Sequence, residues 1–220
     1  MILNDVLILG DSFCADRSYE TDWPKALTKK LTNSDDIPRG HGFAGCSWWS
    51  VRKLFMKEII NVPKVIIFAH TEPQRIPSDF DHSLNSVTVS EHDRRLHQPD
   101  GTNKQMSKTM ALAGRLYYEQ LISFDFHEWA VTQWFKEIDE VIGSISGVDK
   151  VIHLFSFPGN YTNYTFKYGV TIDDSLFKYH KNNKTRNHFT PEENVKLANN
   201  IYSIIDNYPG NGIRYYDSIL

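Results

Sequence analysis

The chain predicts an α/β protein built around a parallel sheet, and three observations lead there. Apolar, β-branched runs recur at Val6 to Leu9, Val65 to Phe68, Val151 to Phe155 and Gly169 to Ile172, and segments of helical apolar spacing separate them. The first run ends in Gly10-Asp11-Ser12, a turn-type tripeptide. The last helical segment carries a complete start signal.

Taken in order, the helical segments are expected at Trp23 to Leu31, Ser47 to Ile60, Lys108 to Leu121, Phe126 to Ile145 and Pro191 to Ile205. In the last of these Thr190 is a natural N-cap and Pro191 suits the first helical position. Glu192 and Glu193 set negative charge against the positive helix end. Val195, Leu197, Ala198, Ile201, Ile204 and Ile205 then follow helical spacing. Trp48-Trp49 and Trp129/Trp134 are read as core residues on their helices.

A chain of 220 residues, 40% hydrophobic and 13% aromatic, is long enough to bury one large core. One domain is expected over 1–220. A net charge of −3 gives no electrostatic argument for nucleic acid or an acidic membrane surface. No apolar run approaches the roughly 20 residues that a membrane helix needs. Two cysteines, Cys14 and Cys46, make no disulfide framework, and no signal-type stretch opens the chain, so the expected compartment is the cytoplasm.

The stretch at about 77–107 breaks the rhythm, being polar, rich in His, Asp, Asn and Arg, and too long for an ordinary connection. It is read as an insertion near the carboxyl edge of the sheet, serving as a lid, a substrate wall, a subunit contact or a mobile surface loop. The spacing of its His82, His92 and His97 fits no zinc motif, and no metal is expected.

Gly10-Asp11-Ser12 lifts a hydroxyl from a buried strand onto a turn at the edge where open α/β sheets bind ligands. Near the other end, Arg186-Asn187-His188-Phe189-Thr190-Pro191 mounts a histidine just before the capped helix. A serine hydroxyl becomes a nucleophile when a base such as histidine takes its proton. Between them, Gly42 to Ser47 leads into a helix start whose N–H groups suit developing negative charge. The Val65 strand runs into the polar segment Ala69-His70-Thr71-Glu72-Pro73-Gln74-Arg75 at the same edge. The competing readings are structural: Ser12 as a helix cap, Asp11 as a turn residue, His188 as a packing histidine and both cysteines as buried thiols.

These blocks together resemble the SGNH (GDSL-like) hydrolase family over nearly the whole chain. The resemblance implies a three-layer α/β/α sandwich with a flavodoxin-like parallel sheet, and a serine esterase or carbohydrate O-deacetylase working through an acyl-enzyme. It also implies a small-molecule or carbohydrate ester substrate and no cofactor. Block by block, Ser12 matches the nucleophile, Gly45 the glycine of the oxyanion hole and His188 the base, while Phe155-Ser156-Phe157-Pro158 matches the end of a strand.

Two blocks depart from the family's pattern. Where the family has Gly-x-Asn-Asp, this chain has Ala69-His70-Thr71-Glu72, so Thr71 stands at the oxyanion asparagine, with Arg75 or His70 as compensating groups. Where Asp-x-x-His is expected, position 185 is Thr185, leaving a Ser–His dyad or a relocated acid at Asp173 or Asp174. These departures also motivate an alternative: an SGNH-like scaffold with impaired catalysis that binds a ligand or partner.

Overall fold

The computed structural model describes residues 1–14, 22–36, 38–40, 42, 45–77, 83–84, 89, 95–97, 103–179 and 189–215. In chain order the regular elements are β1 (Val6–Leu9), α1 (Trp23–Thr32), α2 (Trp48–Glu58), β2 (Val65–His70), β3 (Ile76–Pro77), β4 (Ser83–Leu84), β5 (Arg95–His97) and β6 (Asn103–Gln105). There follow α3 (Lys108–Leu116), α4 (Phe124–Ser144), β7 (Lys150–Phe155), β8 (Val170–Ser175), α5 (Pro191–Asp206) and β9 (Ile213–Tyr215).

β1, β2, β7, β8 and β9 form one sheet in that order, with every pairing parallel. Each expected apolar run became a strand of it. Being buried on both faces, these strands carry continuous apolar sequence instead of alternation. One face presents Ile8, Ile67, Leu154 and Ile172 to α1 and α5, while the other presents Leu9, Phe68 and Phe155 to α2 and α4. Helices on both faces of a parallel sheet make a three-layer α/β/α sandwich.

Beyond β1 the sheet continues, among the described residues, as a single parallel bridge from Leu7 to Arg39, with the Ile8 N–H donating to the Arg39 carbonyl at 3.0 Å. The chain therefore leaves β1 toward one side and returns on the other at β2. That reversal puts a crevice at the carboxyl ends of β1 and β2, where ligands bind in open α/β sheets. Ser12 follows β1 there, and Thr71 follows β2.

Two differences from the sequence reading have local causes. β9 was not expected, because Ile213-Arg214-Tyr215 is short and half exposed, and its pairing with β8 is a tertiary event. α3 ends at Leu116 and passes into a π-helical turn, Tyr117–Leu121, in place of one continuous helix. In the expected insertion, β3 pairs with β4 and β5 with β6, both antiparallel. Leu84, Val89, Met106 and Ala111 form a small separate core beside them. His82 and His92 lie outside the described residues. Among the described residues no helix is long and apolar enough to cross a membrane.

Candidate functional site

The turn after β1 is closed by its own aspartate. Asp11 Oδ1 accepts from the Phe13 N–H at 3.0 Å, and the Asp11 carbonyl accepts from the Cys14 N–H at 2.9 Å. Ser12 sits half-buried inside that turn. Gly42 lies on the same backbone: a Cβ there would meet the Asp11 carbonyl oxygen at 2.3 Å, so any side chain would push the two segments apart. Gly45, with φ +75°, takes the left-handed conformation that leads into α2, whose N-cap is Ser47. Gly42 and the Asp11 turn are therefore packed together.

Asp11 is fully buried and joins the ends of three strands. Its Oδ2 accepts from Thr71 Oγ1 at 3.0 Å, after β2, and its Oδ1 accepts from Ser156 Oγ at 2.9 Å, after β7. The Arg75 guanidinium supplies the countercharge, with Nη1 at 3.5 Å from Oδ2. Arg75 also donates from Nε to Glu72 at 2.8 Å and from Nη1 to the Cys46 carbonyl at 3.1 Å, and it lies 5.0 Å from the Phe157 ring centroid. Burial works against its charge, but Asp11 and Glu72 more than offset that, so its pKa is raised. Arg75 thus clamps the loop after β2 to the loop before α2. Thr71 spends its hydroxyl proton on Asp11, which directs that group to the carboxylate and not to a substrate oxygen.

The residue after Ser12 and the residue after His188 are in contact. Phe13 and Phe189 have ring centroids 5.5 Å apart, and Phe13 meets Phe157 edge-on at 5.6 Å. Trp23 secures this from below, its indole N–H donating to the Phe13 carbonyl at 2.6 Å and its backbone N–H donating to Asn194 Oδ1 at 3.1 Å. α5 begins with the expected cap, completed into a capping box: the Glu193 N–H reaches Thr190 Oγ1 at 3.2 Å, and the Thr190 N–H reaches Glu193 Oε2 at 2.8 Å. His188 and Thr185 themselves lie outside the described residues.

Both alternative acids already hold cations. Asp173 pairs with Arg214, which also donates to the Thr162 carbonyl, and Asp174 pairs with Lys178 at 3.1 Å. Cys14 and Cys46 are buried free thiols. Desolvation raises both pKa values and nearby Asp11 adds to it, so they remain protonated and unreactive at neutral pH.

His70, entertained as an oxyanion donor, faces the other layer. Its Nε2 lies 3.0 Å from His153 Nδ1, and His153 Nε2 lies 2.9 Å from the Tyr168 carbonyl, which accepts its proton. The two rings stack between Phe68 and Phe166. Burial holds His70 well below the usual histidine range and His153 at about 3, so both are neutral.

Sequence reasoning missed Asp11 as the hub with Ser156 as one of its donors, and Trp23 and Asn194 as the supports of Phe13. Ser156 offered one signal, a small polar residue at the end of an otherwise apolar strand at the same sheet edge. Comparison of the chain with protein-family models, curated proteins and solved structures finds no match.

Proposed function

We propose that the chain is a serine ester hydrolase of the kind the SGNH resemblance implies. What carries the reading is the contact between Phe13 and Phe189, because each follows one of the two residues whose chemistry must meet, Ser12 and His188. The packing of Gly42 against the Asp11 backbone adds a second support.

In this mechanism His188 takes the Ser12 proton as Oγ attacks the ester carbonyl. The N–H groups of Ser12 and Gly45 receive the oxyanion. Collapse of the tetrahedral intermediate breaks the acyl–oxygen bond, and His188 returns the proton to the leaving alcohol. Water then attacks the acyl-enzyme, with His188 again accepting and returning a proton, so that the acid leaves and Ser12 is restored. Asp11 and Arg75 act as positioning residues that hold the turn bearing Ser12.

The test is hydrolysis of p-nitrophenyl acetate by the purified chain. Wild type turns the ester over, and Ser12→Ala reduces kcat to background while the circular dichroism spectrum is unchanged. Equal turnover by the two proteins overturns the assignment. A second reading, a scaffold with impaired catalysis that binds a ligand, is favoured by one set of observations: Thr71 is committed to Asp11, and Asp173 and Asp174 each hold a cation. It predicts no turnover by wild type.

A further inference from the structure

The tryptophans on α2 and α4 were read as core, and only Trp134 is fully part of it, at 2% exposed. Trp49 is 38% exposed, Phe126 57% and Trp129 59%. α2 leads into β2 and α4 into β7, two parallel strands of one sheet, so both helices begin at the same end of their layer. Trp49 lies in the first turn of α2, and Phe126 and Trp129 lie in the first two turns of α4, so the three rings gather at that end around a groove between the helices. Met56, two turns along the Trp49 stripe, and Ile60, just past the helix, are exposed as well.

The size of this face points to a protein partner. An aromatic side chain hides about 150–250 Å² when buried, so the three part-exposed rings leave on the order of 300 Å² uncovered. Met56 and Ile60 extend that toward the roughly 500 Å² of apolar surface that a homodimer of standard size buries on each copy.

The charges point to a second copy of the chain. Arg52 pairs with Glu137, and Arg39 with Glu58, inside the molecule. With those pairs set aside, the charges of α2 are the cations Lys53 and Lys57, whereas α4 carries Asp125, Glu128 and Glu140 on its surface against Lys136. One helix is basic and its neighbour is acidic. A twofold axis running along the groove lays α2 of one copy on α4 of the other, twice, so that each basic helix meets an acidic one. A partner of a single charge would be attracted by one helix and repelled by the other.

We propose that the α2–α4 layer joins two copies of this chain in an isologous dimer, with Trp49 of each copy against Trp129 of the other and Lys57 matched to Glu140 across the interface. The dimer does not depend on the serine chemistry. It sets the second copy beside the candidate site, because His127, in the lining of the same groove, contacts the Pro73 carbonyl at 3.1 Å, two residues before Arg75.

Sedimentation equilibrium of the wild-type chain tests the dimer, which is expected at twice the mass of one chain with Kd below about 10 µM. Trp129→Glu raises Kd at least about a hundredfold and Phe126→Arg at least about tenfold, both with unchanged circular dichroism. Val195→Glu, on α5 in the opposite layer, leaves Kd within about threefold. Lys57→Glu raises Kd at least about fivefold, and Glu140→Lys added to it returns Kd to within about twofold of wild type. A wild-type chain that is monomeric at about 100 µM overturns the proposal, as does a dimer that survives Trp129→Glu. Charge reversal without rescue overturns the pairing of α2 with α4. Co-sedimentation of a monomer with phosphatidylcholine vesicles overturns the dimer in favour of a lipid surface.

Discussion

His70 and Thr71 are neighbours in sequence and enter two buried polar clusters held by opposite means. Thr71 turns to Asp11, where a carboxylate is satisfied by two hydroxyls, a backbone N–H and the Arg75 guanidinium. His70 turns to His153 among aromatic rings, where both groups stay neutral and need no countercharge. The first cluster ties loops at the sheet edge, and the second fastens strands inside a layer. A charged hub suits the serine turn because removing any strand end from it leaves a charge exposed to a dry interior, which enforces one geometry.

The largest effect follows from breaking the charged cluster. Arg75→Leu leaves the Asp11 carboxylate without its countercharge, whereas Asp11→Ala leaves the Arg75 guanidinium still paired with Glu72. By denaturant titration Arg75→Leu costs about 3–5 kcal/mol, the usual penalty for an orphaned buried ion, and Asp11→Ala costs less but more than about 1 kcal/mol, through the loss of the acceptor for Thr71, Ser156 and the Phe13 N–H. The double variant loses clearly less than the sum of the two, because both charges are then gone. Additive losses would show that Asp11 and Arg75 do not act as a pair.

The neutral cluster responds to pH instead. With native pKa values pushed below an unfolded value of about 6.5, each histidine takes up a proton on unfolding that the native state refuses. The stability each contributes is complete above about pH 6.5 and falls as pH drops toward the native pKa, about 3 for His153, by about 1.4 kcal/mol per pH unit for each histidine. Between pH 6 and pH 5, the double variant His70→Phe/His153→Phe flattens this slope. A wild-type slope unchanged in the variant would mean that the histidines are not the source.

The smallest effect separates spokes from hub. Ser156→Ala removes one of the donors to Asp11 Oδ1 while the Phe13 N–H remains, and it costs about 1 kcal/mol. A loss as large as that of Asp11→Ala would move the hub from Asp11 to Ser156.

The same pair of clusters shows what was legible in the sequence. Continuous apolar runs and the Thr190-Pro191 start signal marked the layers and α5, because burial on both faces and capping leave local signatures. The Gly-Asp-Ser turn and the glycine loop were legible because special backbone conformations demand particular residues. The Asp11 hub was not, since its partners at positions 71, 75 and 156 meet only once three strands are side by side. His70 read equally well as a site residue or a core residue: its alternation with Phe68 puts it on the inner face, but only the register with β7 supplies His153. The exposed Trp49 and Trp129 were misread because a ring on an amphipathic helix is usually inward, and the groove exists only where α2 and α4 run together.

In the proposed mechanism the turn held by Asp11 carries an activated serine. Incubation of the wild-type chain with a fluorophosphonate, followed by intact-mass measurement and peptide mapping, tests it most directly. A single adduct, on Ser12, is expected in the wild-type chain, and none in Ser12→Ala. An unlabelled wild type, or an adduct that persists in Ser12→Ala, would contradict it.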